Sequence, residues 1–528
     1  MSRFTGPNRL WLVCVACLGG CVTVGPDFHP QHEGWSEHWS DPAMEQATTQ
    51  QSQPDASQWW QVFADRNLER LMAEADAHNA DLKIAGLRVL EARAQLGIAQ
   101  SGRYPQVQQI GADALYTKSR HSGEGGANSS GSWQYGTGFD IGWELDFWGR
   151  FRRAIEAADA AYFASQANHE AVLVLLHAQV ADTYFTMRTA EARLHLARDN
   201  AALQKRSYEL TELLFKGGET DELDLQQAKT QYLSTLSSIP TFESQITLAR
   251  HALSVLIGRP PGPLPELDEQ PDKEGVIPLV DHAVLQDVPA DLLLRRPDVR
   301  AAELHMASQS ALIGVAKADL YPTVTLLGTL AWSASSSSGT PSSLLSASEV
   351  AGSPSKLALA VGPSVTWNVF DHGRIVNNVR VQDARLQQLV VVYQDTVRQA
   401  AREADDAATG LISALQRDNI LRDAEQAADR SLTLANTIYR EGYSDFQRVL
   451  DAQRALSAQQ DAYIVNRSNA VGSLIALYKA VGGGWHTEQP LVDPVTREQM
   501  QQRTHWGDLI NESNAPTATK LQPEGPSR

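Results

Sequence analysis

The chain has 528 residues, 42% of them hydrophobic, and a formal net charge of −17 at pH 7. Phosphate backbones are bound by basic surface, so this balance excludes a nucleic-acid partner. All three cysteines, Cys14, Cys17 and Cys21, fall at the N-terminus, leaving the body without a thiol to pair or to hold a metal.

The N-terminus accounts for that pattern. Arg3 and Arg9 give a basic start, Leu10 to Gly20 a short apolar run, and Leu18-Gly19-Gly20-Cys21 closes it with small residues before a cysteine. This resembles a bacterial lipobox, with residues 1–20 as signal peptide and Cys21 lipidated as the first mature residue; an ordinary signal peptide or a short membrane anchor is the alternative. The run is too short to span a bilayer as a helix, which takes about 20 apolar residues, and no later stretch approaches that length. Val22 in place of Asp after the cysteine fits, in the lipoproteins it resembles, outer-membrane sorting. Residues 21–66 read as an extended leader, rich in Gln, Ser, Asp and Pro. If the body enters a membrane, it must do so as a closed β-barrel.

A first repeat spans 67–258. Helical periodicity runs from Leu68 to about Ala99 and stops at Tyr104-Pro105. The period then falls to two. Strands are predicted at about 106–116 and 136–147, with Phe139, Ile141, Trp143, Leu145 and Phe147 on one face and Asp140, Gly142, Glu144 and Asp146 on the other. The Ser- and Gly-rich stretch Thr117–Gly131 reads as an exposed loop. Phe151 to Lys216 contains neither Pro nor Gly, which predicts a rod of about 100 Å at about 1.5 Å per residue. Its seam steps through Leu173, Leu176, Val180, Thr183 and Met187. The rod turns at Gly217-Gly218 and returns as a second helix to Ile257, with a kink expected at Pro240. Residues 259–290, opening with Arg259-Pro260-Pro261-Gly262-Pro263, form a linker.

The second repeat, 291–481, keeps the order: a helix from Pro297 to Ala318, strands at about 323–332 and 356–370, a rod from Ile375 to about Tyr439, a tip at Gly442 and a return to Val481. A shift of 224 (374 − 150) superimposes Trp143, Gly149 and Arg150 on Trp367, Gly373 and Arg374, and Gly218 and Asp221 on Gly442 and Asp445. Residues 482–528 are expected to form an equatorial and disordered tail. The fold class is therefore a mixed α and β membrane protein, internally duplicated, with one hairpin and two long helices per repeat. Four strands cannot close a barrel, since single-chain outer-membrane barrels have about eight or more. Several chains must share one, and three would supply about twelve strands.

The lipobox, Val24-Gly25-Pro26-Asp27-Phe28, Trp59-Trp60 with Phe63, Asn79-Ala80-Asp81-Leu82, Arg295-Arg296-Pro297-Asp298-Val299, the Tyr-Pro pairs, Phe370-Asp371-His372-Gly373-Arg374 and Leu450-Asp451-Ala452-Gln453 occur in one ordered series. Together they resemble the TolC-like outer-membrane factors of the NodT lipoprotein group, over essentially residues 18–485. The resemblance implies a homotrimer whose hairpins share an outer-membrane β-barrel and whose long helices build a periplasmic α-barrel. It implies the exit channel of a tripartite efflux system, with a periplasmic adaptor and an inner-membrane transporter as partners. No cofactor is implied beyond the covalent lipid on Cys21.

Carried over by position, Asp451 stands at the periplasmic gate with Arg448 one helical turn before it, where some relatives have another carboxylate. Three Asp451 side chains around an axis would attract cations, and bridges to Arg448 would hold the tip closed; the two also read as a solvated i, i+3 pair. Gly218 and Gly442 are expected to turn the chain at the tips, Asp221 to cap a return helix, and the adaptor to dock around Gly218, Asp221, Gly442 and Asp445. Trp143, Trp148 and Trp367 fit either a membrane interface or packing at the base of the barrel. Catalysis has little support: after His32-Glu33 the second His of a zinc-protease motif is replaced by Ser36. Two other functions share parts of this pattern, a channel for protein secretion and a non-conducting coiled-coil scaffold lipoprotein.

Overall fold

A computed structural model describes residues 23–30, 56–123, 126–268, 275–280, 296–336, 355–485 and 490–510. The signal peptide, Cys21, the His32-Glu33 pair, most of the linker and residues 511–528 lie outside the described residues. Helices α1 (Arg66–His78) and α2 (Ala80–Ser101) lead into β1 (Val107–Gly123), β2 (Gly126–Leu145), the rod α3 (Arg150–Gly217) and its return α4 (Glu222–Leu256). The order repeats as α5 (Pro297–Ala318), β3 (Thr323–Ser336), β4 (Ser355–Thr366), α6 (Arg374–Arg440) and α7 (Phe446–Ala480), followed by α8 (Pro494–Thr504). The 224-residue shift maps the start of α3 onto that of α6 and both ends of α4 onto those of α7. It also pairs glycines of matching conformation: φ is +78° at Gly149 and +83° at Gly373, and +77° at Gly218 and +79° at Gly442.

The chain divides into two bodies. The first holds residues 1–30, 91–162 and 304–391, and the second 31–90, 163–303 and 392–528. In the first, the four strands form one antiparallel sheet in the order β1-β2-β3-β4. The hairpin is longer than the sequence suggested: Thr117 to Gly123 pair with Ser132 to Gly126 in unbroken register, so most of the expected loop is strand. Ladder hydrogen bonds need only backbone, and they override the weak strand preference of Ser and Gly. Strand β4 stops at Thr366, short of the expected Phe370.

The core of the second body gathers Trp59, Trp60, Phe63, Leu68 and Met72 against Tyr184 and Met187 of α3, Ala404, Ala408 and Leu411 of α6, and Leu474 and Leu477 of α7. Its details correct the sequence reading at the leader and the first helix, and add to it at α4 and the tail. The leader ends in a 3₁₀ helix, Ala56–Phe63, whose aromatic residues are buried. The first helix is split at Asn79, where Oδ1 accepts from the Leu82 amide (3.0 Å) and so caps the start of α2, and Nδ2 donates to the Leu256 carbonyl (2.9 Å) at the end of α4. Helix α4 continues through Pro240. The described part of the tail is ordered, because Val492, Met500 and Ile510 pack on Leu90.

Candidate channel wall and tips

Register places every strand residue on one of two faces. One face carries Ile110 of β1, Phe139, Ile141 and Trp143 of β2, Leu326 and Leu330 of β3, and Leu359, Val361 and Val365 of β4. Apart from the half-buried Ile141, these apolar side chains are open to the surroundings, Ile110 at 81% and Leu359 at 73%. The other face carries Gln109, Asp113, Asp140, Glu144, Thr325, Thr329, Ser333, Lys356 and Ser364, with Thr329 Oγ1 donating to Asp140 Oδ1 at 2.8 Å. Aromatic residues bound the apolar face. Tyr116 lies against Trp133 at 5.3 Å, and Trp133 stacks on Tyr135 at 6.2 Å. Ten residues separate Trp133 from Trp143, about 33 Å along the strand and about 25 Å once tilted, the height of an outer-membrane apolar band.

The strand-to-rod junctions set the base of the sheet. Asp146 accepts from the Phe151 and Arg152 amides (3.1 and 3.0 Å), and Asp371 from those of Gly373 and Ile375 (3.1 and 2.7 Å). The Ile375 amide foremost, joined by the Gly373 amide, holds the Asp371 carboxyl below the usual carboxylate range against desolvation. Trp148 stacks on Tyr321 (4.6 Å) and donates to the Pro322 carbonyl (2.8 Å), so it packs at the base, while Trp143 and Trp367 remain exposed. The Val24–Phe28 motif, which the sequence left without a structural role, is fixed here as well. The Val24 amide donates to the Trp148 carbonyl (3.0 Å), and the buried Arg153 donates to the Val24 carbonyl (3.2 Å) and to Asp27 (2.6 Å). Thr23 fills the space that a Cβ on Gly149 would need.

At the tips both helix ends close in the same way. The amides of Gly218 and Glu219 donate to the Phe215 and Leu214 carbonyls, and those of Gly442 and Tyr443 to Tyr439 and Ile438; each positive-φ glycine thereby ends its helix in a Schellman turn. Asp221 caps α4 through the Asp224 amide (3.0 Å), whereas Asp445, at the equivalent position of α7, makes no side-chain cap bond. Arg448 and Asp451 are both exposed. Within one chain Asp451 accepts from Gln447 (2.9 Å) and lies 3.9 Å from Arg454, so its intrachain partners are not Arg448. Leu213 (67%), Leu223 (62%) and Tyr443 (81%) stand exposed beside the two turns. Their signal in the sequence was apolar residues within a few positions of the turn glycines.

A duplicated chain that pairs an open sheet, apolar on one face and polar on the other, with long helical hairpins defines an outer-membrane channel of mixed α and β class. The chain belongs to the outer membrane efflux protein family, which it matches over residues 71–259 and 288–483. The cation efflux system protein CusC of Escherichia coli O6:H1 is 31% identical over 495 residues, covering 91% of this chain and 99% of CusC. The toluene efflux pump outer membrane protein TtgF of Pseudomonas putida is 32% identical over 499 residues, covering 92% and 98%. The solved outer-membrane channel OprN superposes with a TM-score of 0.75 at 30% identity, covering 88% of this chain and 99% of OprN.

Proposed function

We propose that the chain is the exit channel of a tripartite efflux system: a homotrimer anchored by a lipid on Cys21, receiving cargo from an inner-membrane transporter through a periplasmic adaptor. The observation that carries this reading is the sheet. Strands β1 and β4 are edges without a partner strand among the described residues, and exposed backbone edges are costly in a bilayer. Three copies joined edge to edge close about twelve strands, with the apolar face to lipid and the Asp140 face to the lumen. A non-conducting scaffold has no use for the exposed Leu359, Val361 and Val365.

Thr23, two residues after Cys21, is seated at the base of the sheet, where a lipid on Cys21 would reach the inner leaflet. The exposed Leu213, Leu223 and Tyr443 support adaptor docking around Gly218, Asp221, Gly442 and Asp445. Asp451 and Arg448 are the gate residues, solvent-facing and free to bridge between chains. Relatives named for cargoes as unlike as cations and toluene support a duct that leaves cargo selection to its partners. The test is ion conductance of the purified trimer in planar bilayers. Asp451→Ala should change conductance and cation preference; a folded trimer that conducts nothing overturns the reading.

A further inference from the structure

Small residues on α6 and α7 leave a groove in the second body. Helix α7 lies between α3 and α6, tied to one by the Thr189 hydroxyl donating to Ser468 (2.8 Å) and to the other by Asn466 Nδ2 donating to the Ala414 carbonyl (2.9 Å). Between the three helices opens a cavity of about 750 Å³, with Asp182, Asp406, Gly410, Asn466, Gly472 and Ala476 in its wall, a size that suits a drug-sized molecule. The groove occupies the face opposite the core. Tyr184 of α3, Ala408 of α6 and Leu474 of α7 pack into the core with Trp59 and Leu68. Asp182 and Thr186, Asp406 and Gly410, and Gly472 and Ala476 stand two residues to either side of them, about 200° round a helix. In the channel reading the leader and α1 wrap the outside, since inside they would fill the bore, so the groove lines the bore.

Its polar groups are uncommitted. The Asp182 side chain makes no hydrogen bond or ion pair among the described residues, and the partial loss of water in the groove pushes its carboxyl above the usual carboxylate range. Asp406, its counterpart at a shift of 224 (406 − 182), is held by Arg402 at 3.3 Å in a pair about two-thirds exposed on both sides, which binds it weakly. At the far end Asn466 is 2% exposed, and its Oδ1 has no donor; a buried acceptor left unpaired is costly. Thr189 meets Ser468 and Ser207 meets Gln453, so the helices run antiparallel and Asp182 stands level with Ile475. Asn466 is nine residues further (475 − 466), about 13 Å along the axis. Arg417 extends from that far end, so positive charge is drawn to the Asp182 end. The copies differ here: Phe242 and Leu248 of α4 occupy the positions of Asn466 and Gly472, large side chains where the second repeat leaves room.

We propose that the groove is a subsite for elongated organic amines passing along the bore. The protonated nitrogen donates to Asp182, a second N–H or O–H at the far end donates to Asn466 Oδ1, and the apolar middle lies over Gly472 and Ala476. The occupant is an organic cation instead of a bare metal ion, because among the described residues no three His, Cys, Asp or Glu side chains gather as metal ligands do. The inference rests on the channel reading and adds a place where cargo of one chemical class is held on the wall.

Titration of the folded trimer in detergent with quinacrine, a fluorescent acridine carrying a protonated amine on a flexible chain, measures binding by fluorescence anisotropy. The unaltered protein should saturate at one dye per chain, and fluorescein, an anionic dye of similar size, should not saturate. Asp182→Asn should weaken quinacrine binding by about tenfold or more, the loss of a charge-assisted hydrogen bond. Gly472→Leu gives α7 the residue that α4 has; a Cβ there meets no atom within 4 Å, so the helices stay packed while the groove is filled and binding is lost. Asp429→Asn removes the same charge from an exposed position of α6 outside the groove and should leave the affinity within about twofold. No saturable binding, or equal weakening by Asp429→Asn, overturns the subsite; loss with Asp182→Asn but not with Gly472→Leu overturns the lengthwise seating. Native mass establishes that each variant is assembled, and if Gly472→Leu fails to assemble, Asp182→Asn against Asp429→Asn decides. Conductance in planar bilayers is read separately. A conducting trimer that does not bind quinacrine overturns the subsite and leaves the channel reading standing, whereas a trimer that binds but never conducts overturns the bore-lining placement together with the channel.

Discussion

Lysine placed at Leu359 and at Ala360 separates the two faces of the sheet at neighbouring positions of one strand. Leu359 pairs with Leu330, and Leu330 with Phe139. Phe139 stands four residues from Tyr135 and four from Trp143 (139 − 135 and 143 − 139), about 13 Å from each at about 3.3 Å per residue. Leu359 therefore sits at the middle of the apolar band. A Lys at mid-depth on a lipid-facing barrel surface costs about 2–4 kcal/mol, or about 30- to 700-fold in the folded-to-unfolded ratio at about 1.4 kcal/mol per factor of ten. Ala360 pairs with Thr329, which pairs in turn with Asp140 on the polar face. A Lys there meets water and a carboxylate, and should change stability by no more than about 0.5 kcal/mol. Guanidinium unfolding of the protein in lipid vesicles measures the difference, and the fraction of SDS-resistant oligomer in outer-membrane extracts reports it in cells. A greater loss at Ala360, or the same loss at both positions, refutes the assignment of faces. Near-zero effects at both are what a water-exposed scaffold would give.

Two further outcomes follow from local geometry. Asp221→Ala removes the carboxylate that caps α4 and should cost about 1 kcal/mol, whereas Asp445→Ala, with no cap bond to lose, should cost far less; thermal melts followed by helical circular dichroism compare them. Burial pushes the Glu170 carboxyl above the usual carboxylate range, against the pull of Arg300 at 3.7 Å. The folded protein thus binds a proton there more tightly than the unfolded chain does. Stability from this group is greatest below the unfolded value of about 4.3 and falls as pH rises through the raised folded value. Denaturant titrations from about pH 4.5 to 8 should show a shallower loss for Glu170→Gln. An unchanged slope refutes the burial argument.

The helical half of this fold was legible because its signals are exclusions. A run from Phe151 to Lys216 with no Pro or Gly can hardly be anything but a rod, and α3 extends it by one residue at each end. The faces of the sheet were legible from the alternation around Phe139 and Leu357. Strand length was not, because Thr117–Gly123 and Gly126–Ser132 are held by register instead of composition. Nor was the pinning of Thr23 to Asp27 legible, since Arg153 reaches them across more than a hundred residues of sequence. At the tips the turn glycines could be read directly, whereas the partners of Asp451 could not. Which neighbour a long exposed side chain selects depends on rotamers and on adjacent helices that sequence spacing leaves open.

The copies also differ where the chain must distinguish them. In α3 the buried Arg188 donates to Glu191 (2.8 Å) and to the Tyr184 hydroxyl (3.0 Å), Tyr184 donates to Asp65 (2.7 Å), and the Gly275 amide donates to Glu191 (3.1 Å). Burial and the neighbouring Asp65 carboxylate push the Tyr184 phenol far above its ordinary value despite the opposing Arg188 charge, so it serves only as a neutral donor and acceptor. At the shifted positions α6 carries Ala408, Ile412 and Leu415, all buried and apolar. Buried ion pairs contribute little net stability against hydrophobic residues of similar volume, but removing one partner strands the other at about 3–5 kcal/mol. Such a cluster therefore discriminates between docking sites more than it strengthens one. Asp65, which also accepts from the Asn67 and Leu68 amides to start α1, and the linker at Gly275 find matching donors and acceptors on α3 alone. Two rods of nearly equal length are thereby made unequal for the segments that must choose between them.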